Sequence, residues 1–117
     1  MNTNEDIILY KDLSYKIVGL AMKVHSGLGH GFLKKVYERA LMVLLRRGNI
    51  AAEQQAPITV TFEGEVVGNY YAAILVENKI IDAHRAQALH YLKATGLRLA
   101  IILNLGKEKL EYERIIK

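Results

Sequence analysis

Three glycines within five residues divide the N-terminal part of this chain. Gly27, Gly29 and Gly31 break one helix and let the chain reverse. Apolar side chains then recur with helical spacing, which predicts a second helix with one buried face made of Leu33, Val36, Tyr37, Ala40, Leu41 and Leu44. A pair of arginines followed by Gly48, expected as a left-handed cap, marks the end of that helix.

The helix before the glycine turn has the same kind of apolar face. Its members are Ile17, Leu20, Ala21, Val24 and Leu28. Asp12 or Ser14 is the candidate N-cap, since either side chain can accept a hydrogen bond from the first helical turn. Residues 1–12 form a polar lead, and its short apolar patch at residues 7–10 either lies against the body or extends a sheet.

The sequence period changes to two after Gly48, which predicts strands. Residues 58–62 alternate apolar and polar side chains, and Pro57 marks the start of this strand or an edge position. Glu-Gly at residues 63–64 predicts a tight turn, and residues 66–76 resume as a second strand. The two strands therefore form a hairpin.

The third strand is unusually short. Residues 77–79 predict another turn, and only residues 80–81 follow before Asp82, which is too short for a full central strand. Asp82 is placed to cap the next helix. We expect the short strand either to leave a gap in the sheet or to bring residues 66–76 and 97–105 together as neighbours.

The rest of the chain predicts one helix and two strands. The helix covers residues 83–95 and ends at Gly96, with Ala86, Leu89 and Leu92 toward the core. Residues 97–105 are almost continuously apolar, as in a strand covered on both faces, and the preceding helix predicts a parallel neighbour. Residues 110–116 carry alternating charges, which are typical of an edge strand.

Composition limits the functional classes. The 117 residues carry a net charge of +4, which permits a polyanionic partner. No cysteine is present, so disulfides, thiolate catalysis and cysteine-based metal sites are excluded. His25 and His30 flank the glycine turn without a nearby carboxylate, so we expect turn or solvent-facing roles rather than metal binding. The absence of a long apolar run and of a basic leader predicts a cytoplasmic protein.

Several segments together resemble one protein family. They are the glycine turn with Tyr37, the strand at residues 70–76, and the helix at residues 84–96 in which Gln87 and Tyr91 are four residues apart. These segments are similar to the GxxExxY family, which is grouped with the PD-(D/E)XK nuclease superfamily. The resemblance covers almost the whole chain.

The resemblance implies a restriction-endonuclease-like fold of the α/β (α+β) class. Its αβββαβ core would have a truncated central strand, two N-terminal helices and a mixed sheet. We expect a single domain over residues 1–117, with residues 1–12 as its N-terminal lead.

Catalysis in this superfamily implies carboxylates that hold Mg²⁺ beside the scissile phosphate. The family's helix glutamate falls on Lys34 and its strand aspartate falls on Ala73, and neither side chain binds a metal. About ten residues of the family pattern are missing between Ile81 and His84, so the (Asp/Glu)-x-Lys motif has no counterpart. The resemblance thus implies a nuclease-like protein whose catalytic positions are degenerate.

Two substitutes for the lost site need weighing. Asp82 and His84 can form a degenerate (Asp/Glu)-x-Lys motif, and Glu38 or Glu77 can supply a displaced carboxylate. Against this, Asp82 is also explained as a helix cap, Glu38 lies one turn beyond the lost glutamate, and Glu77 is explained as a turn residue. Gln87 and Tyr91 are the remaining active-site-side residues that match the family, unless they only form a hydrogen-bonded helix face.

We therefore expect a non-enzymatic domain that contacts nucleic acid weakly and without sequence preference, through Lys34, Lys35 and Arg85, or that binds protein. The alternatives are a metal-dependent nuclease with a relocated site and a relic without activity. No cofactor is expected, and Mg²⁺ only if the nuclease alternative holds. The shortened sheet also predicts a homodimer that buries strand edges or apolar strand faces.

Overall fold

The computed structural model describes the backbone of residues 4–117 and the side chains of residues 11–117. Within this part the chain forms three helices and five strands: α1 (Asn4–Leu28), α2 (Lys34–Arg47), β1 (Ala52–Phe62), β2 (Glu65–Val76), β3 (Lys79–Asp82), α3 (Arg85–Thr95), β4 (Leu99–Asn104) and β5 (Glu111–Ile116). The strands form one mixed sheet in the order β1-β2-β3-β4-β5. The predicted restriction-endonuclease-like α+β architecture, with two helices before the sheet, is confirmed.

The short strand β3 lies in the centre of the sheet, so the expected gap or direct β2–β4 contact is wrong. β3 pairs antiparallel with the last three residues of β2 and parallel with β4 over all four of its residues. Asp82 belongs to the strand, which gives β3 four residues rather than two. Ile80 and Ile81 are buried on opposite faces of the sheet. The parallel neighbour predicted for β4 is confirmed.

Helices α1 and α2 cover one face of the sheet. Their core cluster joins α1, α2 and the strands through Ile17, Ala21, Val24, Tyr37, Leu41, Leu45, Ile74, Ile81, Ile101 and Leu103. Helix α3 covers the opposite face, where a second core cluster joins it to the strands. The members of this cluster are Ala56, Ile58, Ala72, Ile80, Ala88, Tyr91, Leu92, Ala100 and Ile102. β4 contributes to both clusters, as expected for a strand covered on both faces.

The helix boundaries differ from the prediction in two places. α1 begins at Asn4 and runs through Asp12 and Ser14, so neither residue is its N-cap. No proline or glycine lies between residues 4 and 18, so this part of the sequence contains no helix breaker that would delay the start of α1. The side chains of residues 7–10 lie outside the described part. α3 begins at Arg85 rather than at residue 83.

The buried faces of the two shorter helices are rotated relative to the prediction. In α2 the buried residues are Tyr37, Leu41, Met42 and Leu45, whereas Leu33 and Val36 are exposed. Leu33 is the extended N-cap residue, so it does not share the helix face. In α3 the buried residues are Ala88, Tyr91 and Leu92, whereas Ala86 is exposed and Leu89 is half-buried.

The turns follow the sequence closely, with one exception. Glu63 and Gly64 both have positive φ in the β1–β2 hairpin, and Gly96 at φ 75° caps α3 as predicted. Gly48 is not left-handed, because its φ is −86°, and Asn49 takes the positive φ of 56° instead. None of the helices in the described part is long and apolar enough to cross a membrane.

Candidate functional site

A cleft of about 350 Å³ opens between the start of α2 and the adjacent ends of β2, β3 and β4. Its polar and charged lining residues are Lys34, Tyr37, Glu38, Asp82, His84 and Asn104. Ala73 also lines it, so the structure brings together the residues at the positions expected for the helix glutamate and the strand aspartate. We call this region the α2 cleft.

Lys34 and His84 meet in the α2 cleft. The Lys34 Nζ atom is hydrogen-bonded to Nε2 of His84. A lysine ammonium can only donate, so this contact places the acceptor form of Nε2 toward Lys34. Both side chains stay exposed to solvent. The pair therefore puts a cationic group at the mouth of the cleft.

The two helix N-termini that hold this pair have no side-chain caps. Lys34 is the first residue of α2, and His84 is the N-cap residue of α3. Neither Leu33 nor His84 makes a side-chain cap hydrogen bond, and neither first turn contains an acidic residue. Helix N-termini present N–H groups and partial positive charge, which favour anions. Lys34 and the N-terminus of α2 thus favour an anion at the mouth of the α2 cleft, whereas the carboxylates of Glu38 and Asp82, which also line the cleft, oppose one.

Glu38 is held by two glutamines on the neighbouring strand. Its Oε1 atom accepts hydrogen bonds from Gln54 Nε2 at 2.9 Å and from Gln55 Nε2 at 2.7 Å. Gln55 adopts a positive φ of 53°, an unusual conformation for this residue type. The two amide donors fix the carboxylate against β1, so one of its oxygens is already occupied.

Asp82 organises the turn between β3 and α3. Its Oδ1 atom accepts from the backbone N–H groups of Ala83 at 2.7 Å and His84 at 3.1 Å. The residue is only 7% exposed. Asp82 thus closes the turn before α3, although it is not the N-cap residue as predicted.

The α2 cleft holds part of a carboxylate set for Mg²⁺, without the carboxylates expected at residues 34 and 73. Mg²⁺ needs free carboxylate oxygens and near-octahedral geometry. Glu38 and Asp82 each have one oxygen engaged with protein donors and one without a protein donor in the described chain, whereas Lys34 and Ala73 offer no ligand. In the described part of the chain, no three His, Cys, Asp or Glu residues are grouped so that they could hold a metal ion.

Tyr37 fixes the glycine turn beside the cleft. Its hydroxyl donates to the Gly29 carbonyl at 2.7 Å and accepts from the Phe32 N–H at 3.1 Å. The Phe32 ring packs edge-on against Tyr37, with ring centres 6.2 Å apart. The turn is also joined to the β4–β5 loop, because Gly31 N–H donates to the Gly106 carbonyl at 3.2 Å. These contacts hold the start of α2 in place.

The histidines at the glycine turn have different environments. His25 Nε2 lies 2.8 Å from the carbonyl oxygen of Lys107, which links α1 to the β4–β5 loop. His30 is exposed. His30 therefore has the solvent-facing position that the sequence predicted, whereas His25 lies on α1 and contacts a loop instead of forming the turn.

Gln87 and Tyr91 lie outside the α2 cleft. They line a separate groove of about 730 Å³ between α3 and the hairpin, together with Tyr70, His90 and Lys93. Gln87 Nε2 donates to the Tyr91 hydroxyl, and Tyr91 is 3% exposed. The structure therefore gives these two residues the hydrogen-bonded helix face that was the alternative to an active-site role.

The predicted basic residues have different surroundings. Lys35 is exposed beside Lys34 at the start of α2. Arg85 is turned toward β5, where its Nε donates to the Glu113 carboxylate at 2.9 and 3.2 Å. Its charge is thus partly compensated, whereas Lys34 is paired with a histidine.

Sequence reasoning missed Asn104, Gln54 and Gln55. Asn104 lines the α2 cleft at the end of an otherwise apolar strand, and that position was the available signal. The glutamines stand before Pro57 in a stretch that lacks the alternation of the following residues. Two adjacent amide side chains in such a stretch indicate a local irregularity in the strand. The sequence does not show that these amides donate to Glu38 on α2.

A family model described as the PD-(D/E)XK nuclease superfamily matches residues 11–115. The chain belongs to the PD-(D/E)XK nuclease superfamily. The match covers α1 from residue 11, all of α2 and α3, and the sheet as far as residue 115, in agreement with the fold. The chain has no significant match among curated proteins or among solved structures. In this chain the α2 cleft lies where α2, β2 and β3 meet, and Lys34 and Ala73 line it.

Proposed function

We propose that this protein is a catalytically degenerate member of the PD-(D/E)XK superfamily, of the GxxExxY type, that binds nucleic acid without cutting it. The observation that carries this proposal is the Lys34–His84 contact at the mouth of the α2 cleft. A cationic pair stands where a nuclease of this superfamily needs carboxylates around a metal ion. The exchange favours phosphate binding over metal binding.

The binding mode follows from the charges at the cleft mouth. Lys34 and Lys35 begin α2, whose N-terminus has no side-chain cap, and His84 at the N-cap of α3 contacts the Lys34 side chain. Backbone phosphates fit such a surface because they accept from both ammonium and backbone N–H groups. Arg85 contributes less than the sequence implied, because it is paired with Glu113. Binding should be sequence-independent, with a dissociation constant of about 10⁻⁴ to 10⁻⁶ M at physiological salt.

Fluorescence anisotropy with labelled duplex and single-stranded oligonucleotides tests this binding. The logarithm of affinity should fall linearly with the logarithm of salt concentration. Lys34→Glu should weaken binding about tenfold and lower the slope of that line by about one, as expected for one lost phosphate contact. Lys23→Glu is the matched control, since it changes the net charge equally at an exposed position on α1. Equal losses in both variants would contradict a role for the cleft.

A metal-dependent nuclease with a relocated site is the second candidate. The observation in its favour is that Glu38, Asp82 and His84 line one cleft. Plasmid and oligonucleotide substrates with Mg²⁺ or Mn²⁺ should remain uncut. The informative variant is Asp82→Asn, which removes the charge but keeps an acceptor for the turn. Metal-dependent cutting that disappears in Asp82→Asn would overturn the non-enzymatic proposal.

We further propose that the chain acts as one domain, in the cytoplasm, and as a homodimer. A dimer places two α2 clefts on one particle, which would raise the avidity of weak phosphate contacts. Absence of both cutting and low-salt binding at micromolar protein would favour protein interaction or a relic instead.

A further inference from the structure

One helix carries a positive charge equal to that of the 117 residues together. α2 contains one acidic residue, Glu38, and five basic residues. The basic residues are Lys34, Lys35, Arg39, Arg46 and Arg47. The helix therefore has a net charge of +4, and the other residues balance, with eleven basic and eleven acidic side chains. A concentration of basic residues along one helix is typical of a surface that binds a polyanion.

Three of these cations form a straight stripe along α2. An α-helix turns about 100° per residue, so Lys35, Arg39 and Arg46 lie within about 40° of one another around the helix axis. We call these three residues the basic stripe. Its length is about 16 Å, because eleven residues separate its ends and each adds about 1.5 Å. Lys34 lies next to Lys35 in the chain and lines the mouth of the α2 cleft, so the stripe leads to that cleft.

The basic stripe is exposed and has no internal anion. All three of its side chains are exposed. None of them takes part in the ion pairs or side-chain hydrogen bonds of the described residues. Arg85 and Lys107, in contrast, are each paired with a glutamate. The charges of the stripe are therefore available to an external partner.

The position of Glu38 keeps the stripe positive. Glu38 lies three residues after Lys35, a spacing at which opposite charges on a helix can pair. Its Oε1 atom accepts instead from the side-chain amides of Gln54 at 2.9 Å and Gln55 at 2.7 Å. No ion pair joins Glu38 to the stripe in the described part of the chain. The two amides on β1 thus hold the one carboxylate of α2 toward the sheet.

The composition of α2 favours a double-stranded nucleic acid as the partner. Proteins that bind single strands supply aromatic rings on which the unpaired bases stack. The one aromatic residue of α2, Tyr37, is buried, so this helix offers no such ring. A duplex keeps its bases paired and stacked, and it carries about one negative charge per 1.7 Å of its axis, twice the density of one strand.

We propose that the phosphate backbone of a nucleic-acid duplex lies along the basic stripe and continues to Lys34 at the mouth of the α2 cleft. This inference rests on the nucleic-acid binding proposed above. It adds Arg39 and Arg46 as contact residues and a duplex as the preferred ligand. Four phosphate contacts predict that the logarithm of affinity falls with the logarithm of salt concentration with a slope of about −3 to −4.

Neutral substitutions on the stripe test its role by fluorescence anisotropy with a labelled duplex. The stripe variant combines Lys35→Gln, Arg39→Gln and Arg46→Gln, and glutamine retains a high helix propensity. At low salt this variant should bind at least about 100-fold more weakly than the unmodified protein. The magnitude of its salt slope should fall by about three, because three phosphate contacts are lost.

The matched control removes three charges from other parts of the surface. It combines Lys23→Gln on α1, Lys93→Gln on α3 and Lys109→Gln in the β4–β5 loop, and all three positions are exposed. The control has the same net charge as the stripe variant. It should nevertheless keep the salt slope of the unmodified protein, because a general charge effect would lower both variants equally.

Two further measurements separate charge from folding. Arg39→Lys combined with Arg46→Lys should keep the salt slope, because lysine also neutralises a phosphate. Circular dichroism should show that the variants are folded, since the changed side chains are exposed. If the stripe variant does not fold, the single variants Arg39→Gln and Arg46→Gln take its place, and each should lower the magnitude of the slope by about one.

The outcomes distinguish this inference from the proposed function. Equal slopes in the stripe variant and its control would overturn the role of the stripe and leave nucleic-acid binding standing. A single strand bound as tightly as a duplex of the same length would overturn the duplex as ligand. Equal affinity for poly-L-glutamate or for phosphatidylserine vesicles would do the same, in favour of an acidic protein or a membrane. No binding of any oligonucleotide at low salt and micromolar protein would overturn the proposed function as well.

Discussion

Replacing Asp82 with alanine should destabilise the fold rather than remove a catalytic group. The carboxylate accepts two backbone N–H groups through one oxygen, at 2.7 and 3.1 Å, and the residue is 7% exposed. A net hydrogen bond to a charged group contributes about 1.5–3 kcal/mol, and two donors that share one acceptor contribute less than twice that amount. We therefore expect Asp82→Ala to lower the free energy of unfolding by about 2–4 kcal/mol. This is a large share of a typical total of about 5–15 kcal/mol.

Asp82→Asn separates the hydrogen bonds from the charge. The asparagine side chain keeps an acceptor oxygen for the N–H groups of Ala83 and His84, so the loss should be about 1 kcal/mol. Asp12→Ala is the control, because Asp12 is exposed on α1, and its effect should stay within about 0.5 kcal/mol.

Urea unfolding followed by circular dichroism gives these values from the midpoints at constant slope. The expected order of destabilisation is Asp82→Ala, then Asp82→Asn, then Asp12→Ala. If Asp82→Ala cost less than about 0.5 kcal/mol, the turn would not depend on this carboxylate, and the structural explanation of Asp82 would fail. Its burial in the α2 cleft would then call for a functional explanation.

Two further changes test local structure by the same unfolding assay. Tyr37→Phe removes the hydroxyl that joins Gly29 and Phe32, so it should cost about 1–2 kcal/mol, whereas Tyr112→Phe at an exposed position on β5 should be neutral. Gly96→Ala should cost about 1 kcal/mol, because φ is 75° there and no atom lies within 4 Å of the added Cβ. Gly19→Ala, in the interior of α1 with equally open space, should instead stabilise the protein by about 0.5–1 kcal/mol.

The sequence predicted the element order because its turns have strong local signals. Glu63 and Gly64 adopt the positive φ values that a tight hairpin needs, and Glu77 and Asn78 do the same in the next turn. The apolar run of β4 predicted a strand covered on both faces, which the two core clusters confirm. Local chemistry decides such features, so they are visible without knowledge of the neighbours.

The rotated helix faces could not be predicted as well, because tertiary contacts decide them. α2 has more apolar positions than one face can bury, and the sheet selects Met42 and Leu45 over Leu33 and Val36. Leu33 does not lie on the buried face of α2, because the chain is still extended at this residue, directly after the glycine turn that Tyr37 fixes. Periodicity predicts that an amphipathic helix exists, but it defines the buried face of that helix only to within about one residue.

The candidate site was only partly predictable for a related reason. The resemblance placed Lys34 and Ala73 at one site, and both line the α2 cleft. It did not place Gln87 and Tyr91 correctly relative to that cleft, because α3 presents them to the groove on the other face of the sheet. The amide donors that occupy Glu38 come from β1, and no spacing in the sequence links residues 54–55 to residue 38.

The shortness of β3 shapes the α2 cleft. Because the strand ends at Asp82, the chain turns at once, and His84 at the N-cap of α3 contacts the Lys34 side chain at the start of α2. A longer strand would carry His84 away from Lys34. We therefore expect the phosphate binding proposed for the cleft to depend on the short strand as well as on Lys34 itself.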